Sequence, residues 1–380
     1  MNPGLDSAQI EATSSALLAF FRQEVLQSFP TAGFQIIVSR NLDMAFNAVV
    51  ETATNEVFWI ELNDGCVDTI FRALNSNLVE DLEVAVGLSE QLFGDKSEID
   101  AILNAILNCA VTFILLHEYS HIVCGHFHAT DKPDDCSART RTLQEIGEQY
   151  GMETFGLSFA GFSPTQVNKV FELEADAAAY ELLIEIATDV FLATPAVEQA
   201  ISRRKRAADL SLDDKRAIQR MTFYACSLVA ALTEGVRVRQ GHQSNYPSAL
   251  TRMLSLCAIN LVAFLPGAWK VEEFVKKLKI DDTTEQILYE QIVPTIGSAL
   301  DFCWSGCKGV DIELRLRYDV KMGTQSFARA FGRDFANLVT GRDEKLATAP
   351  GREFAALQIE RKAMLPAMAS FRQASWWNVA

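Results

Sequence analysis

The sequence predicts a mainly α protein with one small antiparallel β-sheet, which places it in the α+β class. Two patterns predict this class. Apolar residues recur at helical spacing from Asp64 almost to the C-terminus, whereas β-branched and aromatic residues concentrate in three short runs before it. The chain has 380 residues, of which 49% are hydrophobic and 22% charged, so it can bury a sizeable core. Wholesale disorder and a fibrous repeat are therefore excluded.

The N-terminal part predicts one helix and then the sheet. Apolar positions at helical spacing run from residue 7 to residue 29 and stop before Pro30. Three β-rich runs follow, separated by turn residues: Phe34 to Ser39, Ala45 to Glu51 and Glu56 to Glu61. Short strands joined by short turns are typical of a three-stranded antiparallel meander, and this is the arrangement expected here.

The rest of the chain predicts helices, with breaks at residues 131–135, 161–164, 194–195, 241–247 and 341–351. The apolar segments Ala101 to Leu116 and Met253 to Trp269 fall short of the roughly 18 to 20 clean apolar residues of a membrane span, so both are interpreted as buried core helices. Three regions are expected. Residues 1–96 hold the first helix, the meander and further helices, residues 97–265 form the central core, and residues 266–380 form a C-terminal helical region.

Charge and cysteine usage restrict the partners and the compartment. The net charge is −15, and this field repels phosphate backbones and anionic headgroups, so neither nucleic acid nor a membrane surface is expected as a partner. The eight cysteines are scattered and show no disulfide framework. The N-terminus lacks the positive charge and the long apolar stretch of a secretory signal. A cytoplasmic location is therefore expected.

The strongest chemical signal is a cluster of histidines at the end of the segment that begins near Ile99. Four of the five histidines lie within twelve residues, and His117 and His121 form an HExxH pattern with Glu118. On a helix, residues four apart project from one face, so both imidazoles can bind one Zn²⁺. Glu118 falls on the adjacent edge, where it can act as a general base. The alternative is a helix C-terminus that carries histidines only because they suit its dipole.

A catalytic zinc site needs a third protein ligand. The metzincin spacing fails, because Phe127 stands where the third histidine would be. Glu172 and Asp176 lie in a helical segment opened by the capping pair Ser163-Pro164, and they share a face by i, i+4 spacing. One of them can bind the metal while the other accepts an imidazole N–H. Glu174 points away from that face, so it is not expected to bind the metal. The alternative is that these acids are merely solvated.

These residues carry a family resemblance. HExxH followed about 50 residues later by E-x-x-A-D resembles the gluzincin zinc peptidases, in particular the HtpX and CaaX-prenyl-protease group. That group continues with His-Pro-x-x-x-x-Arg, and this chain has Tyr246, Pro247 and Arg252 in the same spacing, with Tyr in place of His. HEYSHIVCGH followed by ELEAD is also similar to the peptidase family of the phage-exclusion protein Lit.

The resemblance implies one zinc ion per chain and a role for each residue of the motifs. His117, His121 and Glu172 would be the metal ligands, Glu118 the general base, and Asp176 the partner of a ligating imidazole, His117. Residues 97–265 would then be a zincin-like catalytic core, and an edge strand of the sheet would pair with an extended substrate above the metal. The expected activity is that of a zinc-dependent endopeptidase that hydrolyses peptide bonds of a cytosolic protein, in a regulated or phage-defence role.

The group that would stabilise the oxyanion is left open among His242, Tyr246 and Arg252, which follow the glutamate helix. Arg252 has the alternative of pairing with a buried carboxylate. A protein or peptide substrate is the expected partner, together with a regulatory protein. Two other functions compete with the peptidase: a non-catalytic interaction protein on a zincin scaffold, and a zinc hydrolase of a non-peptide amide.

Four further features are expected to be structural or to contact a partner. His126 and His128 are interpreted as surface or cleft residues. Cys303 and Cys307 are interpreted as free thiols. The remaining two are the basic run Arg203 to Arg206, a solvated helix face or a docking patch, and Trp376-Trp377, which either packs on the body or binds a partner.

Overall fold

The computed structural model describes eleven stretches of the chain: residues 5–29, 34–54, 57–75, 79–126, 141–142, 161–204, 210–241, 246–259, 282–312, 324–339 and 341–369. His128, Lys205, Arg206, His242 and Trp376-Trp377 lie outside these residues.

The first helix forms where the apolar spacing predicted it. Helix α1 spans Ser7–Phe20, continues through a π-helical turn at Phe21–Val25 and ends with Leu26–Ser28. It begins at a capping box, in which Asp6 and Gln9 each accept a hydrogen bond from the other's backbone N–H, at 2.8 and 3.0 Å. The buried face of α1 packs against the sheet and the core.

The sheet has the predicted strands but not the predicted order. Strands β1 (Gln35–Asn41), β2 (Ala48–Thr54), β3 (Val57–Asn63) and β4 (Arg141–Thr142) form a mixed sheet in the order β1-β3-β2-β4. Strand β3 pairs with β2 antiparallel, as expected for a hairpin, but β1 pairs with β3 and runs parallel to it. The antiparallel meander was therefore wrong at β1, although the class, mainly α with one small sheet, is confirmed.

An ion pair joins the ends of β1 and β3 at one end of the sheet. The guanidinium of Arg40 on β1 donates two hydrogen bonds, of 2.7 and 2.8 Å, to the Asp64 carboxylate just after β3. A meander would also run β1 and β3 in the same direction, but with β2 between them, whereas here the end of β1 lies directly beside the end of β3. The segment between β1 and β2 consequently crosses β3 instead of forming a hairpin.

Helices make up most of the remaining described chain, as predicted. They are α2 (Asp64–Leu74), α3 (Val79–Phe93), α4 (Ile99–Val123), α5 (Pro164–Leu192), α6 (Pro195–Arg204), α7 (Leu212–Arg239), α8 (Ala249–Ile259), α9 (Asp282–Gly309), α10 (Thr324–Val339) and α11 (Ala349–Ala369). A short 3₁₀ turn, Asp343–Lys345, precedes α11.

Helix α4 is the centre of the fold. It is apolar on all sides and packs against α5, α7, α2, α3, β2 and β3. Its length and its mean hydropathy of 2.0 are sufficient for a membrane span, but 72% of the apolar window is buried inside the protein. The prediction of a buried core helix over Ala101 to Leu116 is confirmed. Of the second apolar segment, only the part up to Ile259 is described, and it belongs to α8.

Helix α5 lies along α4, and small side chains allow the close approach. Its predicted start is confirmed: Ser163 caps the helix, forms a capping box with Gln166, and is followed by Pro164 in the first turn. Ala178 and Ala179 are fully buried on α5. This packing brings the acidic turn of α5 beside the histidine turn of α4.

The C-terminal helices complete the same core. Helix α9 packs on α7, α2 and α3, and α11 packs on α8 and α5. Buried apolar side chains from all three predicted regions, from Ile10 to Met364, form one hydrophobic cluster. The division at residues 96 and 265 stays a prediction. The seven cysteines in the described part of the chain are buried thiols outside any disulfide.

Candidate metal centre and active site

Three donor atoms converge where α4 and α5 meet. The Nε2 atoms of His117 and His121 are 3.1 Å apart, and the carboxylate oxygens of Glu172 lie 3.7 Å from the first and 3.8 Å from the second. The three residues are only 3% to 9% exposed. The structure therefore brings together the three residues that the motifs predicted as ligands, in a group that could hold a metal ion.

A buried ion pair between Asp176 and Arg252 contacts the Nδ1 side of His117. Asp176 Oδ1 lies 2.9 Å from His117 Nδ1, and the guanidinium of Arg252 donates to both Asp176 oxygens, at 2.5 and 2.6 Å. Burial raises the pKa of Asp176, but Arg252 and then His117 outweigh it and hold the pKa of this carboxyl well below its usual range. A charged Asp176 keeps the His117 proton on Nδ1, so the Nε2 lone pair faces the centre.

Arg252 is therefore not placed as an oxyanion stabiliser. Its Nε and one terminal nitrogen are committed to Asp176, and the side chain is 4% exposed. The alternative considered for it, a pair with a buried carboxylate, is what the structure shows. Its contribution is to keep Asp176 ionised and oriented.

Glu118 lies at the same turn as the two histidines, and its side chain is half-buried. The pKa of Glu118 is raised to about 7, mainly by burial. The positive charges of His117, Arg237 and Arg252 act in the opposite direction, whereas the negative charge of Glu172 adds to the increase. A carboxyl group that titrates near neutral pH can both accept and return a proton under physiological conditions. These properties suit the predicted role of general base.

Sequence reasoning missed Arg237. This residue comes from the last turn of α7, and one of its terminal nitrogens donates to Glu172 Oε2 at 3.1 Å. Burial raises the pKa of Glu172, but Arg237 and then His117 outweigh it, so this carboxylate remains ionised. No signal distinguishes Arg237 from the other basic residues at the end of α7, because only the crossing of α7 over α5 places it here.

Tyr246 reaches the centre through Arg237. The guanidinium carbon of Arg237 lies 3.4 Å from the centre of the Tyr246 ring, in a cation–π contact. Tyr246 and Arg237 also line a cleft of about 1020 Å³. Its walls are the loop before β2, helix α2 and the end of α7, with the end of α9 beside them. Arg237 therefore connects the cleft to the centre, and none of the three candidate ligands lines the cleft itself.

The expectation for His126 was wrong. Gly125 adopts a positive φ of 77° at the end of α4, a conformation that favours glycine, and the turn directs His126 back under the helix. His126 is 1% exposed, and its Nδ1 lies 2.7 Å from Nδ1 of His121. Glu174 is fully buried beside it, outside the group of three predicted ligands, as its helical position predicted.

The comparison with known families adds one finding. Residues 87–261 match the family model described as Peptidase U49. The Peptidase U49 match includes every described residue of the centre, from His117 on α4 to Arg252 on α8, and it supports a proteolytic function. No curated protein and no solved structure matches the chain.

Proposed function

We propose that this protein is a zinc-dependent endopeptidase that hydrolyses peptide bonds of a cytosolic protein. The observation that carries the proposal is the convergence of His117, His121 and Glu172 beside Glu118, a carboxyl group with a pKa of about 7. The similarity of this segment to Peptidase U49 supports the reaction class.

The donor set fits zinc. Bonds of 2.0 to 2.2 Å to nitrogen and oxygen in a tetrahedral site imply ligand atoms roughly 3.3 Å apart. The three separations of 3.1, 3.7 and 3.8 Å bracket this value. Two imidazoles and one carboxylate are also the ligand set of catalytic zinc sites that keep a fourth position open. A bound zinc ion would polarise the scissile carbonyl and lower the pKa of a water molecule at that fourth position.

The protein's own residues provide the proton transfer and the orientation. Glu118 accepts a proton from the attacking water and delivers it to the leaving amine. Asp176 and Arg252 orient His117, and Arg237 orients Glu172. Tyr246 stacks on Arg237, and its hydroxyl is a candidate for stabilising the oxyanion, with His242 as a second candidate.

The cleft and the sheet support a peptide as the substrate. Among the described residues, β2 is an edge strand apart from the short β4, which pairs with it only at Glu51 and Thr52. An extended peptide can add to such an edge by main-chain hydrogen bonds. The loop before β2 is also a wall of the cleft, so a peptide on this edge would run toward the cleft.

The similarity of HEYSHIVCGH and ELEAD to the family of the phage-exclusion protein Lit supports a regulated role with a narrow target. The net charge of −15 supports a protein partner over nucleic acid or a membrane surface.

Two measurements test the proposal. Elemental analysis of the purified protein should find about one zinc per chain, and His121→Ala should lose most of it. Cleaved protein termini should then be compared in cells that express the wild type or Glu118→Gln at matched zinc occupancy. The peptidase predicts termini that occur only with the wild type, since general-base loss lowers turnover by roughly 10² to 10⁴.

Unchanged zinc in His121→Ala would overturn the ligand assignment. Identical termini and identical phenotype with Glu118→Gln would instead favour the non-catalytic interaction protein.

A further inference from the structure

His126 and Glu174 form a buried hydrogen-bonded pair directly behind His121. His126 Nδ1 lies 2.7 Å from His121 Nδ1, and His126 Nε2 lies 3.2 Å from Glu174 Oε2. Arg361 on α11 approaches the other Glu174 oxygen at 3.7 Å. The Phe171 ring stacks on the His126 imidazole, with the planes 2° apart and the centroids 4.2 Å apart. Nothing in the proposed mechanism uses these groups.

A count of protons determines the direction of the hydrogen bonds. The 2.7 Å contact between the two Nδ1 atoms has room for one proton. His121 needs a lone pair on Nε2 to bind a metal, so as a neutral imidazole it carries its proton on Nδ1 and donates it to His126 Nδ1. A neutral His126 then has its proton on Nε2, which faces the Glu174 carboxylate. Each contact thus receives one proton without any charged imidazole.

We propose that His126 and Glu174 are positioning residues that hold His121 in its metal-binding tautomer and orientation, as Asp176 does for His117. This inference rests on the proposed function. The two ligand histidines are held differently because of helix geometry. Asp176 is i+4 from Glu172 and reaches its imidazole directly, whereas Glu174 leaves α5 at another angle and acts through His126.

A second metal site is the competing interpretation of the same residues, because donor atoms of Cys124, His126 and Glu174 lie within 4.8 Å of one another. A metal on His126 Nε2 would move the imidazole proton to Nδ1. Two N–H groups would then meet at 2.7 Å, or His121 would carry its proton on Nε2 and no longer bind at the centre. The positive charge of Arg361 beside Glu174 also opposes a second cation. The chain of hydrogen bonds from His121 through His126 to Glu174, called the relay below, avoids both conflicts.

The test compares three variants in full-length protein. His126→Phe keeps an aromatic ring against Phe171 but cannot accept the His121 proton. His126→Asn places an amide oxygen near the position of Nδ1 and restores an acceptor. Phe171→Leu is the matched control, because it removes the stacked ring without removing a hydrogen bond. Circular dichroism first establishes that each variant is folded.

The first readout is zinc affinity, measured by competition with a chelator. His126→Phe should bind zinc about 10- to 100-fold more weakly, since loss of a group that orients a ligating imidazole has this effect. His126→Asn should recover most of the affinity, and Phe171→Leu should retain it. Equal losses in all three variants would mean that His126 acts only through packing and would overturn the proposal.

The second readout does not depend on activity or on zinc. The ¹⁵N chemical shifts of His121 in metal-free protein should show a proton on Nδ1 in the wild type and in His126→Asn, and a mixture of tautomers in His126→Phe. A protein that binds no zinc but shows this pattern would refute the proposed function and retain the relay. If His126→Phe does not fold, the same spectrum of the wild type decides: a proton on His121 Nε2 would overturn the proposal. Two tightly bound zinc ions per chain, one lost in His126→Asn, would favour the second metal site.

Discussion

Replacing Glu118 by Gln should stabilise the metal-free protein above neutral pH and leave its stability almost unchanged near pH 4. The reason is that Glu118 has a raised pKa in the fold, because burial disfavours its ionised form. Gln has nearly the same size and no charge to bury. The substitution therefore removes an electrostatic penalty as well as the proposed general base.

The sign and the size follow from the two pKa values. The pKa of Glu118 rises from 4.5 to about 7 in the folded protein, so between these values the folded state binds more protons than the unfolded state. Stability consequently falls as the pH rises through this window, by about 1.4 kcal/mol for each pH unit. The side chain retains some contact with solvent, and screening reduces the total, so Glu118→Gln should stabilise the metal-free protein by about 2 to 3 kcal/mol at pH 8.

Urea unfolding of chelator-treated protein at pH 4, 6 and 8 measures this effect. The control is Glu185→Gln, which removes an exposed carboxylate from α5 and should change stability by less than about 0.5 kcal/mol at each pH. With zinc bound, the gain from Glu118→Gln should shrink, because a nearby dication favours the ionised carboxylate. A gain of the same size at pH 4 and pH 8, or no gain at pH 8, would refute the reasoning.

Two further predictions concern packing around the site. A Cβ on Gly65 would overlap main-chain atoms of Met44, so Gly65→Ala should cost about 1 to 3 kcal/mol and lower the thermal midpoint in calorimetry, whereas Gly87→Ala, with open space around the new methyl, should gain about 0.5 to 1 kcal/mol. A neutral effect at Gly65 would contradict the tight packing of the loop before β2. Arg252→Lys keeps the charge but loses the two-point contact with Asp176, so it should cost about 1 to 3 kcal/mol in chelator-treated protein and weaken zinc binding, as measured by urea unfolding and chelator competition. If the free energy of unfolding and the zinc affinity were both unchanged, the positive charge at position 252 would be sufficient to hold Asp176 without the two-point contact.

Much of the candidate centre was predictable because its residues obey local helix geometry. His117 and His121 are four residues apart, as are Glu172 and Asp176. In the structure, the two histidines on α4 face the two acids on α5. The helical class was predictable for the same reason, since apolar periodicity is a property of each segment by itself.

Contacts between segments were not predictable from spacing. A short connection after β1 is compatible with a hairpin or with a crossing, and the Arg40 ion pair with Asp64 accompanies the crossing. In the sequence, Arg237 resembles any other basic residue at a helix end. Only the crossing of α7 over α5 places it beside Glu172.

The sequence by itself predicted the proposed ligands and base, because a helix converts a spacing of four into a shared face. Only the tertiary structure decided what supports them. The turn at Gly125 buries His126 against Glu174, and the position of α8 commits Arg252 to Asp176 rather than to a substrate. The physical reason is that hydrogen bonds between side chains require their elements to approach within about 3 Å, and this approach is set by the packing of the whole core.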